Sequence, residues 1–503
     1  MLDEGRGMMM LKWNNLEQYK ESNRIEAKKA VGGLPRDLWE TYSAFANTQG
    51  GVLLLGVEER ADKSLYALDL PDPEKLVKEF WDIVNNRQKV SVNILTNKHV
   101  QIIEVDGHRI VAIDIPRANR MDKPIYIGAD PFAGSYRRNG EGDYHCTADE
   151  VRNMMRDQSN IPQDSRVLEK LGLDAFDYES VRHYRTRLQN TRSNHVWENL
   201  EPVEFLQKLG GIGRAEDGTL HPTAAGILMF GFEYEIVKEY PAYFLDYQEH
   251  DNETTRWTHR VVSNLGDWNG NLFDFYFRVC NRLTEEVKVP FKLEGMTRID
   301  DTPVHKALRE ALANALIHAN YYDRLGLVIH RRPQSITIAN PGGLRISVED
   351  ALVGGISDPR NFTLFKLFNM LNVGERAGSG IPNIYHVWDA QGWQKPKLTE
   401  EFNPERTILS LVFAPQESRG DGDNVGDSGD NIGDSGDNIG DKTTQEKIIE
   451  LMCLNPKISA SKIAKAIGVS NRNVELHIQK MKADGVIDRQ GSPKGGRWIV
   501  KGF

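Results

Sequence analysis

In the stretch "REALANALIHAN", Glu310 and Asn314 stand four positions apart among alanines and leucines. On a helix that spacing puts both side chains on one face. It is the arrangement for a carboxylate that activates water beside an amide oxygen that helps hold a magnesium ion. The bland alternative is two polar positions on a core helix. A second set lies in "ESNRIEAKKA", where Glu21 and Glu26 are five apart with Arg24 between them and Lys28 and Lys29 behind. Three readings are open for it: a metal site, a nucleic-acid surface or a solvated edge. A third set is Asn471, Arg472, Asn473 and His477, which follow "ISASKIAKAIGVS" near the C-terminus. Their side chains suit base edges and phosphates.

These residues need elements to carry them. Residues 303–320, "PVHKALREALANALIHAN", have alanine and leucine at helical spacing, proline at the first position and no internal breaker, which predicts a helix. "GLVIHRRPQSITIANPGGL" alternates as two strands around a turn and ends in Asn340, Gly342 and Gly343. Farther on, "GERAGSGI" supplies Gly378, Ser379 and Gly380 ahead of a helical pattern. Glycines at such places let backbone N–H groups approach phosphates closely. Around "ESNRIEAK" the sequence predicts an α+β domain ending near residue 157: a helix over Leu38 to Ala46, a buried strand "GVLLLGV", and a hairpin turning at Asp106-Gly107. From 164 to 300 helical patterns give way to strands, with Pro222 suited to a helix start and Gly231 to a stop, and no residue set there has assignable chemistry. The tail from 443 reads as three helices and a two-stranded wing. Gly468 opens the turn, Ser470 or Asn471 caps a recognition helix, and Lys494 and Arg497 in the wing neutralise phosphates.

At 503 residues the chain exceeds one core. Its apolar runs are too short to span a bilayer and its N-terminus lacks a signal-peptide pattern, so the expectation is a cytoplasmic protein with no membrane partner. Cys146, Cys280 and Cys453 form neither a disulfide framework nor a zinc knuckle. The net charge of −9 is unevenly spread. Residues 442–503 carry twelve Lys/Arg and five Asp/Glu, whereas 417–441 carry eight acids and one arginine. The latter segment contains the repeat "DNVGDSGDNIGDSGDNIGD", whose composition predicts a linker.

From Glu310 through "NPGG" to "GSG", the order of motifs resembles the GHKL ATPases, and more closely the ATPase module at the C-terminal end of RecG-related regulators. The resemblance implies that Glu310 is the general base, that Asn314 binds magnesium, and that Asn340 stands where the family has an adenine-contacting aspartate. ATP and Mg2+ are the implied cofactors, with residues 345–376 as a lid. "ESNRIEAK", "SAFANTQGG" and "GVEE" together resemble the Schlafen, or AlbA-like, nucleic-acid-binding domain. Nuclease-active members carry a metal-dependent triad, which maps onto Glu21, Glu26 and Glu59, with Glu in place of the family's third Asp. The rival reading of this surface is ion-paired, with Arg24, Lys28, Arg137 and Arg138 gripping a nucleic-acid backbone.

The expected fold is multidomain α+β: a Schlafen/AlbA-like domain over 13–157, a mixed middle region over 164–300, a GHKL (Bergerat) α/β sandwich over 301–415, the acidic linker over 417–441 and a winged helix-turn-helix over 443–503. The expected function is that of an ATP- and DNA-binding transcriptional regulator, bacterial or archaeal, forming dimers or higher oligomers. The alternative is an ATP-gated, divalent-metal-dependent nuclease acting on RNA or single-stranded DNA. No Walker A loop is present to support a helicase.

Overall fold

The computed structural model describes residues 22–251, 256–285, 292–294, 297–299, 302–374, 378–402 and 404–414, and beyond them isolated positions of the tail with strands in 487–490 and 497–500. The protein is multidomain α+β. By its internal contacts the chain divides into residues 1–418 and 419–503.

The first part of the larger unit runs β1 (Ile25–Lys28), α1 (Leu38–Asn47), β2 (Gly51–Leu55), β3 (Val57–Glu59), β4 (Leu65–Ala67), α2 (Pro73–Val84), β5 (Val100–Val105), β6 (His108–Ile115), α3 (Pro131–Gly134), β7 (Tyr136–Asn139), β8 (Gly142–His145) and α4 (Ala148–Asp157). A four-stranded sheet in the order β1-β2-β6-β5 is its centre. The Asp106-Gly107 turn joins β5 to β6 with positive φ at both residues, the type I′ geometry whose twist matches the flanking strands. Leu53 and Leu55 face α1 and α2 with Tyr42, Phe45 and Phe80, while Val52 and Leu54 face the other side with Ile25, Val57 and Leu65. Strand alternation in β2 thus separates two cores.

The second part continues with α5 (Tyr178–Thr191), α6 (Pro202–Leu209), β9 (Ile212–Arg214), β10 (Leu220–Pro222), α7 (Ala224–Phe230), α8 (Glu233–Glu239), β11 (Leu245–Glu249), β12 (His259–Val262), α9 (Leu272–Glu285), β13 (Lys292–Glu294) and β14 (Thr297–Ile299). Then follow α10 (Pro303–His318), β15 (Leu327–Arg332), β16 (Ser335–Pro341), α11 (Val348–Val353), α12 (Phe362–Met370), α13 (Gly380–Ala390), β17 (Lys397–Glu401) and β18 (Arg406–Val412). Pro222 closes β10, and Thr223 rather than the proline caps α7.

Six strands form one mixed sheet, β12-β11-β15-β16-β18-β17, in which β11 pairs parallel with β15. A single apolar cluster runs from Leu168 to Leu411. The boundary expected at residue 300 therefore cuts through one sheet and one core, because β11 and β12 complete the sheet that the later strands begin. Helix α10 crosses this core. Thr302 forms a capping box with His305, Pro303 takes the first helical position, and Ala307, Leu308, Leu312 and Leu316 are buried.

In the smaller unit, β19 (Ile487–Gln490) and β20 (Arg497–Val500) pair antiparallel, the strands expected of the wing. Ile487 and Trp498 are buried, as are Val474 and Ile478 four residues apart. The acidic repeat, Glu21, Asn471, Arg472, Asn473, His477 and Lys494 lie outside the described residues, as does the side chain of Arg497.

Candidate nucleotide cleft and nucleic-acid faces

A cleft of about 860 Å³, counting its open mouth, lies between α10, the end of β16, α11 and the start of α13. Glu310, Asn314, Asn340, Gly378 and Gly380 all line it. Asn314 donates its amide nitrogen to Glu310 Oε1 at 3.2 Å, which leaves the amide oxygen as the atom suited to a cation. A Cβ at Gly380 would lie 2.5 Å from Glu310 Oε1 and 2.8 Å from Asn314 Nδ2. Only glycine lets the first turn of α13 come this close, and that turn carries the backbone N–H groups of Gly380 and Ile381 ahead of Pro382, which has none. Gly378, at φ +64°, is held against the Ile356 carbonyl, 2.5 Å from where a Cβ would sit. Ser379 is the N-cap residue of α13 and makes no side-chain capping bond. Ile338, Ile346, Leu398 and Leu409 give the cleft an apolar slot, the surface a planar base needs.

Four further side chains in the cleft were not singled out from the sequence. Thr407 is the cross-strand partner of Asn340 and donates its hydroxyl to the Gly342 carbonyl. His318 is held neutral, its pKa pushed down to about 4 by burial and by Arg360 and Arg345. Asp358 and Arg345 form part of the wall. Two signals were available: the alternation in "RTILSLV", which puts Thr407 and Leu409 on one strand face, and the place of His318 four after Asn314 on α10.

Gly342 and Gly343 do not reach the cleft lining. A Cβ on Gly342 would meet Arg360 Nη1 at 2.5 Å, and one on Gly343 would meet Glu405 Oε1 at 2.5 Å. Their bareness makes room for a buried arginine and a half-buried glutamate of this chain rather than for phosphates. The lid expectation for 345–376 is corrected as well. Leu364, Leu367 and Phe368 of α12 are core residues, and both ends of the 345–360 segment are pinned.

The pins are ion pairs to the N-terminal α+β part. Asp157, at the end of α4, accepts from Arg345 at 2.7 Å and from Arg360 at 2.7 Å. The two guanidiniums hold its carboxyl well below the usual carboxylate range, against the opposing effect of burial. Arg120 pairs with Asp358. Arg117 forks onto Glu400, with Nη2 at 3.0 Å from Oε1, and also reaches the Leu344 carbonyl at 2.6 Å. Arg24 of the N-terminal part reaches Glu349 on α11 at 3.4 Å.

The four cations expected to grip a nucleic acid are all engaged inside the chain. Besides Arg24, Lys28 pairs with Glu26 at 3.1 Å and Asp37 at 2.8 Å. Arg138 is buried and pairs with Glu26 at 2.7 Å and Asp143 at 3.0 Å. Arg137 lies 3.0 Å from Glu150 with little exposure. Glu26 is thus the centre of an ion-paired cluster, on the strand face it shares with Leu53, its partner in register. Glu59 lies opposite Leu65 on the face that carries Val57, and Val57 and Leu65 belong to the core on the other side of the sheet. Glu59 belongs to the separate β3-β4 ribbon and pairs with Lys63 at 3.2 Å, which also reaches Glu141 at the β7-β8 turn. Among the described residues no group of three or more His, Cys, Asp or Glu is placed to hold a metal ion, and no helix is long and apolar enough to cross a membrane.

Comparison with known proteins agrees with the segment order. Residues 21–147 match the family described as "Schlafen, AlbA_2", and 152–246 match a domain of unknown function, DUF8451. Residues 328–409 match "Putative ATP-dependent DNA helicase recG C-terminal", and 441–488 match "Winged helix-turn-helix DNA-binding". Among curated proteins none matches the sequence. Of the solved structures, the DIP2311 protein from Corynebacterium diphtheriae is 18% identical, with 95% of this chain and 92% of that one covered at a TM-score of 0.40. The N-terminal domain of a "Putative ATP-dependent DNA Helicase RecG-related Protein" from Nitrosomonas europaea is 33% identical over 26% of this chain and 88% of that one, at a TM-score of 0.21. The chain thus joins a segment similar to Schlafen-type nucleic-acid-binding domains, an ATPase-like segment and a segment similar to DNA-binding winged helices.

Proposed function

We propose that the chain is a DNA-binding transcriptional regulator in which an adenine nucleotide, taken up with Mg2+ in the cleft, changes how the nucleic-acid-binding segments are presented. The observation that carries this reading is the double role of the cleft wall. Arg345 and Asp358 line the cleft and are at the same time bound to Asp157 and Arg120 of the N-terminal part. A ligand that shifts either wall residue must also disturb a bond to the neighbouring domain. That is the requirement for coupling two sites.

Within the cleft each residue has a definite task. The first turn of α13 offers backbone N–H groups to phosphate oxygens. The Asn314 oxygen would hold magnesium, whose charge offsets that of the phosphates. Asn340 and Thr407 meet the polar edge of the base, and Glu310 orients and deprotonates water where hydrolysis occurs. The nuclease alternative has less support, because Glu26 is neutralised by Arg138 and Lys28 and Glu59 is paired with Lys63.

The test is the affinity of the full chain for duplex DNA with and without saturating Mg-ATP, alongside calorimetric titration of the nucleotide. Nucleotide binding with a several-fold change in DNA affinity is expected. DNA affinity indifferent to bound nucleotide would refute the coupling. Purified chain incubated with tRNA and single-stranded DNA in Mg2+ or Mn2+ is expected to leave both intact.

A further inference from the structure

A second cavity, of about 670 Å³ counting its mouth, lies between the N-terminal α+β part and the loop that follows β16. Arg345 and Leu344 line both it and the nucleotide cleft. Six cations face it, Arg117, Arg120, Lys123, Arg137, Arg345 and Arg360, against the carboxylates of Glu150, Asp157 and Glu405. Four of the cations are satisfied: Arg117 by Glu400, Arg120 by Asp358, and Arg345 and Arg360 by Asp157.

Two are not. The Lys123 ammonium donates to the Asn47 carbonyl at 2.5 Å and forms no ion pair with a described residue. Arg137 Nε lies 3.0 Å from Glu150 Oε1 in an ion pair, while its buried Nη1 has no hydrogen-bond partner among the described residues. A buried arginine donor without an acceptor is costly, the Lys123 ammonium has a carbonyl but no carboxylate to meet it, and both side chains line one cavity. We propose that this cavity is a binding site for a small oxyanion of the phosphate class, held by Lys123 and Arg137 and separate from the nucleotide cleft. The electrostatics agree. Burial and the neighbouring Arg117 push Lys123 down to about 7 despite Glu400 and Glu405, and burial raises Glu405 towards its neutral form despite Arg360 and Lys123. Cys146, beside them, is a neutral thiol, pushed up to about 12. An oxyanion would supply the cavity with negative charge beside Lys123 and with an acceptor for the buried Arg137 Nη1.

The test is calorimetric titration of the full chain with inorganic phosphate at pH 7 and constant ionic strength, with chloride as the control anion. Saturable binding of one phosphate is expected, and Lys123→Met and Arg137→Gln should each weaken it about tenfold or more. Lys29→Met, at an exposed lysine paired with Glu58, and Asn314→Ala, in the nucleotide cleft, should leave it unchanged. Absence of saturable binding to the wild-type chain overturns the proposal whether or not the variants fold. So does loss of phosphate in Asn314→Ala with retention in Lys123→Met, which would move the anion to the nucleotide cleft. Neither outcome depends on whether ATP binds.

Discussion

Gly380 is placed so that a single methyl group on its Cα would lie 2.5 Å from the carboxylate of Glu310. Gly380→Ala should therefore push Glu310 and Asn314 out of position while leaving the buried side of α13 intact. Overpacking of this kind costs about 1–3 kcal/mol. The expected outcome is a loss of Mg-ATP affinity of about tenfold or more with a cooperative thermal transition retained. Wild-type affinity in calorimetry would show that the two helices have slack to spare.

The Glu310 and Asn314 roles separate by kinetics. Asn314→Ala should abolish magnesium-dependent nucleotide binding, whereas Glu310→Ala should bind nucleotide and lose any hydrolysis. Unaltered nucleotide affinity in the Asn314 variant would sink the assignment of the cleft.

Asp157 is the counter-charge for two largely buried arginines. Asp157→Asn leaves both without it, and breaking a buried pair of this sort costs about 3–5 kcal/mol. The native pKa lies below the unfolded value, so the contribution is full above the ordinary carboxylate range of about 4 and is lost as pH falls through the native value. Urea unfolding should show a variant deficit that is constant near neutrality and shrinks in acid. A deficit independent of pH would mean the aspartate acts by shape alone.

Asp164 behaves in the opposite sense. Burial pushes its pKa up to about 6, although it accepts from Leu364 N at 2.8 Å. The folded chain holds the proton more tightly than the unfolded one, so stability falls as pH rises from about 4 towards the native value. Asp164→Asn removes the charge and keeps an acceptor, and should be more stable than wild type by about 1–2 kcal/mol above that range. A variant less stable than wild type at pH 8 would contradict this.

The acidic repeat adjoins a basic tail, and a short tether gives an effective concentration of roughly millimolar. Changing its aspartates to asparagine should raise DNA affinity, most at low salt, where screening over about 10 Å is relaxed. A free repeat peptide that fails to compete with DNA at millimolar concentration would reduce the segment to a spacer.

What the sequence made legible was local. Asp106-Gly107 specifies its turn by backbone preference, and Thr302 with Pro303 starts α10, so Glu310 and Asn314 could be placed on one face before any tertiary contact was known. What escaped depends on partners distant in sequence. Arg138 looks like a surface cation until Glu26, on a strand 112 positions away, is laid beside it. Gly342 and Gly343 read the same whether a phosphate or Arg360 occupies the space they leave. That β11 joins β15 follows from a parallel pairing, Leu245 with Leu327, which no local pattern announces. Thr407 enters the cleft only through that sheet's register.

The salt bridges from Asp157, Arg117 and Arg120 also bear on how the chain can be dissected. A cut near residue 160 looks natural, since α4 has ended and α5 has not begun. It would strand Arg117 and Arg120 on one fragment and their carboxylates on the other, and would leave Arg345 and Arg360 facing water with no Asp157. Neither fragment would be a fair stand-in for its part of the whole. Swapping this N-terminal part for a relative's would require exchanging Glu400, Asp358, Arg345 and Arg360 along with it. The unit of modular exchange is thus larger than the segment boundaries suggest.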